Sequence, residues 1–247
     1  MKNKILICFM VLMLALSANV QIYAQENTNI NESEINSNRN IDLNKPMIAL
    51  TFDDGPSEQY TPAILDVLEK NNSAATFFIL GTEIENNEDI LVRMVEGGNQ
   101  IGNHSYNHKN LTTLSNKDLN EEMSLTDKKI NEATKYYTPS IMRPPFGFVN
   151  NEFNKKIYKP IVLWSLDTKD WENRNTEIIV NKILDNVKDG DIILMHDIYD
   201  STTKAVEIVV PELINRGYQL VTVSELYEYK NSTTLFNGKV YNKLLTK

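Results

Sequence analysis

Cysteine is almost missing from this 247-residue sequence, and its one copy, Cys8, lies in the first two dozen residues. Beyond that point no disulfide can form within the chain, and no thiolate can ligate a metal or serve as a nucleophile. Any metal must therefore be held by histidine and carboxylate. Histidine is itself scarce, at three residues. Positive charge is in deficit, with 25 Lys and Arg against 33 Asp and Glu and a formal net charge of −8. That balance argues against a nucleic-acid partner, since neutralising phosphates takes clustered Lys and Arg. The longest apolar run, residues 5–20, is short of the about 20 residues that a membrane span needs.

That run follows Lys2 and Lys4 and leads to Ile22-Tyr23-Ala24 before Gln25. Charged, apolar and small-residue regions in this order read as a secretory signal peptide over residues 1–24, cut after Ala24. Ile22 stands where a small residue is preferred, so an uncleaved anchor is the alternative, and the only membrane contact expected. Either way the rest of the chain is expected outside the cytoplasm, secreted or held at the cell surface or wall. Cleavage would move the formal charge from −8 to −10. Residues 25–46, rich in Asn, Glu and Ser, cannot bury enough apolar surface to offset their ordering entropy and read as a flexible linker. Residues 47–230 have the composition of one globular domain. Residues 231–247 form a weakly patterned tail, and a monomer is expected.

Short apolar runs alternate with longer helical patterns across the domain. Strands are predicted at residues 47–52, 75–80, 99–102, 140–142, 161–166, 192–195 and 219–223. Helices are predicted from Thr61-Pro62, over 88–96, 115–133 and 176–187, and over 203–216, where Pro211 implies a kink or a late start. Alternating strands and helices imply parallel pairing. Polar clusters follow five of the strand-like runs, at Asp53-Asp54, His104, Arg143, 167–171 and His196. A β/α barrel builds its site from C-terminal strand ends, whereas a doubly wound sheet would recruit fewer of them. The fold expected is therefore α/β, a distorted (β/α) barrel of about seven parallel strands.

Every histidine falls among these clusters. His104 and His108 are four apart in HSYNH, so they can share a face if the loop turns helically. Two neutral imidazoles and one carboxylate leave a divalent metal an open position for water. A pair of exposed loop histidines is the plainer alternative. Asp53 and Asp54 are adjacent, and in extended backbone their side chains point to opposite sides, so one can ligate metal while the other faces a bound water. Asp54-Gly55-Pro56 alone would read as a turn. The tyrosines at 136, 137, 199, 227 and 229 read as scattered surface residues ahead of sugar-stacking platforms, and Asp197 and Asp200 as loop acids, with substrate contact the alternative for either.

TFDDGP at 51–56, HSYNH at 104–108, RPPFG at 143–147, DTKDW at 167–171 and ILMH at 193–196 resemble, in order, the five motifs of the polysaccharide deacetylases, the NodB-type family also called carbohydrate esterase family 4. The resemblance implies a metal site of Asp54, His104 and His108, with zinc favoured and cobalt, manganese, iron or nickel able to use the same ligands. It makes Asp53 the general base, Arg143 the residue that holds it, and Asp170 the partner of a general acid, His196. Trp171 and Leu194 would line the acetyl-methyl pocket, and the backbone N–H of Phe146, where many members carry tyrosine, would face the oxyanion. The implied substrate is an acetylated polysaccharide, peptidoglycan or a chitooligosaccharide, losing N-acetyl groups as acetate. O-acetyl esterase activity on a xylan-type polymer and a catalytically silent carbohydrate-binding protein are the alternatives.

Overall fold

A computed structural model describes residues 39–243. The expected signal segment, residues 25–38 of the expected linker and residues 244–247 of the expected tail lie outside the described residues.

The central strand, β1 (Met47–Asp53), is buried along all seven residues. A continuous apolar run of this kind suits a strand covered on both faces, as parallel sheets are. Along one edge β1 pairs in parallel with β6 (Ile192–His196), in a register that sets Asp53 opposite His196. Its other edge pairs first with β7 (Gln219–Leu220) and then with β2 (Thr76–Ile79). β2 pairs onward with β3 (Gln100–Asn103), again in parallel.

The ring continues through single bridges. Met142 bridges Asn103 on one side and Ile161 on the other. Two short strands, β4 (Ile161–Val162) and β5 (Leu166–Asp167), lie on one stretch of chain, and β5 pairs with β6. The stretch 161–167 thus joins the β3 side to β6 and closes a distorted barrel. Residues 140–142 supply a bridge where a strand was expected, and 161–166 is two strands in place of one. A final strand, β8 (Val240–Tyr241), pairs with β4 from within the expected tail. At the other terminus, Arg39 forms an ion pair with buried Glu225, so the linker's last residues rest on the domain.

Helices cover the sheet through single apolar faces. α1 (Thr61–Lys70), α2 (Glu88–Glu96), α3 (Asn116–Thr134) and α6 (Thr176–Leu184) match the expected helices to within a few residues. α4 (Asn151–Lys156) and α5 (Asp170–Asn173) are short. α7 (Asp200–Asn215) buries Thr202, Val206, Val209 and Leu213 at helical spacing and carries Pro211 inside it. It begins earlier than expected, because its first turn is polar and bears no apolar signal. α8 (Val223–Asn231) opens with a capping box between Thr222 and Glu225, which ends β7 two residues into the expected strand. No helix among the described residues is long and apolar enough to cross a membrane.

Candidate active site

The five polar clusters all lie at C-terminal strand ends, on one rim of the barrel. Asp54 follows β1 in a left-handed conformation, φ 73°, and its carboxylate and that of Asp53 both approach His104 Nε2, at 3.3 and 3.7 Å. His104 follows β3, its N–H bound to Ile79 O at 2.9 Å. His108 is also left-handed, φ 59°, and its N–H donates to Ser105 Oγ at 3.1 Å. A tight polar loop, in place of the helical turn expected, therefore brings the two imidazoles together.

His104 Nε2 lies 3.3 Å and His108 Nε2 3.4 Å from Asp54 Oδ1. All three candidate ligand atoms fall within 4.8 Å of one another. His104 Nδ1 lies 2.8 Å from Arg143 O, a contact that requires Nδ1 to carry the proton and leaves the Nε2 lone pair facing Asp54. Asp54 Oδ1 is buried with no hydrogen-bond partner. Buried carboxylate oxygens are seldom left so. A tetrahedral site with ligand bonds of about 2.0–2.2 Å has edges of about 3.3–3.6 Å, and both measured contacts to Asp54 Oδ1 match that length. The donor set therefore fits a divalent cation of the zinc type.

Electrostatics agree. Burial pushes the Asp54 carboxyl up, but the neighbouring imidazoles, His104 foremost, with His196 and His108, outweigh it and hold the group at about 2. Burial pulls His104 down, while Asp53 and Asp54 together raise it above the ordinary imidazole value. Burial lowers His108. The cluster thus concentrates negative potential where the lone pairs converge.

Asp53 is 4% exposed and accepts a 2.7 Å hydrogen bond from Arg143 Nη1. Arg143 is wholly buried, an expensive place for a charge unless every donor is used. It also donates to Thr51 Oγ1, Val162 O and Leu163 O, and its guanidinium lies 4.1 Å from the centre of the Phe78 ring. Across the cluster, His196 Nδ1 lies 2.8 Å from Asp170 Oδ1. Asp170 accepts further bonds from the His196 and Trp171 N–H groups and from Thr202 Oγ1. Burial disfavours the imidazolium of His196, yet Asp170, aided by Asp53 and Asp54, raises it to about 9. His196 Nε2 is left facing the cluster, 4.0 Å from Asp54 Oδ2.

A cavity of about 520 Å³ opens over these groups. Phe146, Trp171 and Leu194 all line it, so every residue singled out in the sequence either lines this cavity or, as Arg143 and Asp170 do, supports one that does. Phe146 adopts φ 62° and sets its ring edge-on to His108 at 4.6 Å. Its N–H has no protein acceptor among the described residues. Leu194 is buried, while Trp171 is about half exposed at the mouth.

Several participants escaped sequence reasoning. Tyr199 lines the cavity and so is no scattered surface residue, and Tyr137 and Tyr227 are buried. Phe148 and Trp164 also line the cavity. Asp197 is fully buried rather than a loop acid, with burial raising its carboxyl to about 7 against the bond from Thr61. It lies directly under Gly55, where a Cβ would come within 2.3 Å of its carboxylate. Only the adjacency of Asp197 to His196 could have flagged it.

A barrel rim that gathers two imidazoles and a carboxylate, between an Arg-held carboxylate and an Asp-backed imidazole, has the parts of a metal-assisted hydrolase. A family model of polysaccharide deacetylases matches residues 40–159. The chain is 43% identical over 183 residues to the peptidoglycan-N-acetylglucosamine deacetylase PgdA of Listeria monocytogenes, covering 74% of this chain and 39% of that one. It is 42% identical over 190 residues to the peptidoglycan-N-acetylmuramic acid deacetylase PdaC of Bacillus subtilis, covering 77% and 40%. The solved structure of PdaC superposes with a TM-score of 0.75 at 41% identity, over 78% of this chain and 95% of that one. A family 4 acetyl xylan esterase from Clostridium thermocellum, solved with a cobalt ion, gives 0.74 at 31% identity, over 80% and 98%. The chain belongs to the polysaccharide deacetylase family, carbohydrate esterase family 4. It spans about two fifths of the length of PgdA and PdaC.

Proposed function

We infer that this protein is a metal-dependent N-deacetylase of amino-sugar polymers, exported by its N-terminal segment and acting on peptidoglycan, foremost at N-acetylglucosamine. Relatives named for peptidoglycan deacetylation support the polymer. The observation that carries the chemistry is the placement of Asp53 and His196 on either side of the Asp54–His104–His108 cluster. Those three residues would hold the cation, with zinc favoured by the ligand set. When bound, it would polarise the acetyl carbonyl and lower the pKa of water, from about 15.7 to about 7 in the strongest cases.

The protein's own groups do the rest. Asp53, aimed by the hydrogen bond from Arg143, takes the proton from the attacking water as its oxygen bonds to the acetyl carbon. The Phe146 N–H meets the negative charge that develops on the former carbonyl oxygen. His196 Nε2 gives its proton to the sugar nitrogen, the C–N bond breaks, and acetate and a free amine leave. Leu194 and Trp171 enclose the acetyl methyl group. An amine leaves only when protonated, so an imidazole raised to about 9 by a buried carboxylate suits amide cleavage better than ester cleavage.

Acetate release from chitooligosaccharides and from peptidoglycan, with and without chelator, tests the proposal. Release that stops on chelation and returns with zinc is expected. Asp53→Asn should lower turnover about 10²–10⁴-fold while sparing bound metal, whereas His104→Ala should lower metal content itself. No release from any acetylated glycan, O-acetylated xylan included, by metal-loaded protein would favour a binding role.

A further inference from the structure

The sequence contains five arginines. Four hold carboxylates: Arg39 pairs with Glu225, Arg93 with Asp66 and Glu69, Arg143 with Asp53, and Arg216 with Glu212. Arg174 differs. No carboxylate of the described residues lies within 4.0 Å of its guanidinium, although acids outnumber bases in the chain. Its guanidinium carbon instead sits 3.3 Å from the centre of the Tyr199 ring, and its Nε donates to Trp171 O at 3.0 Å.

Both anchoring residues line the catalytic cavity. Arg174 itself is exposed and takes a left-handed conformation, φ 45°, that an arginine adopts at a cost in strain. Lys169, at the other end of α5, does the same at φ 55°. The short helix carrying Asp170 and Trp171 is therefore bracketed by two strained turns, and the second leaves an exposed guanidinium against two residues that line the cavity. The guanidinium is held over the Tyr199 ring with no carboxylate of the described residues on its fork, and an arginine fork can grip a carboxylate through two hydrogen bonds.

We propose that Arg174 is a specificity-determining residue that binds a carboxylate carried by the glycan beside the acetamide being cleaved. The substrate is then an anionic amino-sugar chain rather than neutral chitin. This rests on the function proposed above and narrows it. Two sources share the chemistry, a lactyl ether carboxylate on the sugar and a carboxylate of an attached peptide.

Titration calorimetry on the metal-loaded protein, Arg174→Gln and Arg174→Lys, with three oligomers of equal length, tests it. The oligomers are a neutral N-acetylglucosamine chain, an alternating chain with free lactyl carboxylates, and the same chain with peptides amide-linked to those groups. Wild-type protein should prefer a carboxylated oligomer, and whichever it prefers identifies the source. Arg174→Gln should weaken that oligomer about five- to tenfold in a salt-sensitive way, and change the neutral one by less than twofold. Arg174→Lys, which keeps the charge and loses the fork, should fall between. In turnover the loss should appear in KM and leave kcat in place. Equal affinity of wild type for all three oligomers, an equal loss on the neutral chain, or no binding of any, would overturn the proposal. Binding that follows the pattern without acetate release would instead overturn the catalytic reading and leave the carboxylate site standing.

Discussion

At the scale of single residues, the pairing of His196 with Asp170 makes the sharpest claim about chemistry. The imidazole must be protonated to release an amine, and its value of about 9 keeps it so across neutral pH. Activity should accordingly hold above the ordinary imidazole value of 6.5 on the alkaline side and fall only when His196 loses its proton. Asp170→Asn removes the main raising influence, so the alkaline limb should move down by more than one pH unit, read from kcat/KM against pH. An unmoved limb would remove His196 from the acid role. The same pair bears on stability. A folded value above the ordinary 6.5 favours the fold fully below about pH 6.5, and that contribution is lost as pH rises through about 9. The motif residues Asp53, Asp54, His104, His108, Arg143 and His196 were legible in the sequence because their types are rare or costly at strand ends. Asp197, Tyr199 and Trp164 were not, since their roles come from contacts made across the fold: Asp197 with Thr61, Tyr199 with Arg174, Trp164 with Arg143 and Gly147.

At the scale of elements, period and punctuation located most strands and helices, including α2 to the residue. Errors arose where local signals overlapped. Thr222 and Val223 fall within the strand expected over 219–223, although the capping box from Thr222 to Glu225 is itself a helix-start signal. Residues 140–142 carry strand-like apolarity yet make only bridges, because the loop after them must turn at once to place Arg143. That loop also offers a test. Gly147 sits at φ 68°, and a Cβ there would lie 2.7 Å from the Trp164 ring, which packs beside Arg143. Gly147→Ala should cost about 1–3 kcal/mol from strain and overpacking, read from the denaturant midpoint. It should also lower turnover, since the displaced ring and loop frame the cavity. A neutral substitution would mean that the loop yields freely and does not position Phe146.

At the scale of the whole molecule, the barrel is closed by parts far apart in sequence: β1 against β6 in register, the 161–167 stretch between Met142 and β6, and β8 from the tail. Alternating strands and helices made the fold class readable, but nothing local could announce β8. The rim so formed gathers three candidate ligands from two separate segments, so a cation bound there would link β1 to the loop after β3. An ion that binds only the folded state at 100 times its Kd stabilises by about 2.7 kcal/mol, which for a domain of this size is about 5–11 °C in Tm. Calorimetry should show that rise with zinc, its reversal on chelation, and none in His104→Ala. A rise that persists in His104→Ala would place the ion elsewhere.

Anomalous diffraction from crystals grown with zinc tests the central claim most directly. One strong peak is expected within about 2.0–2.2 Å of Asp54 Oδ1, His104 Nε2 and His108 Nε2, with Asp53 and His196 unligated on either side. A peak at another cluster, or none at these three atoms in zinc-saturated crystals, would contradict it.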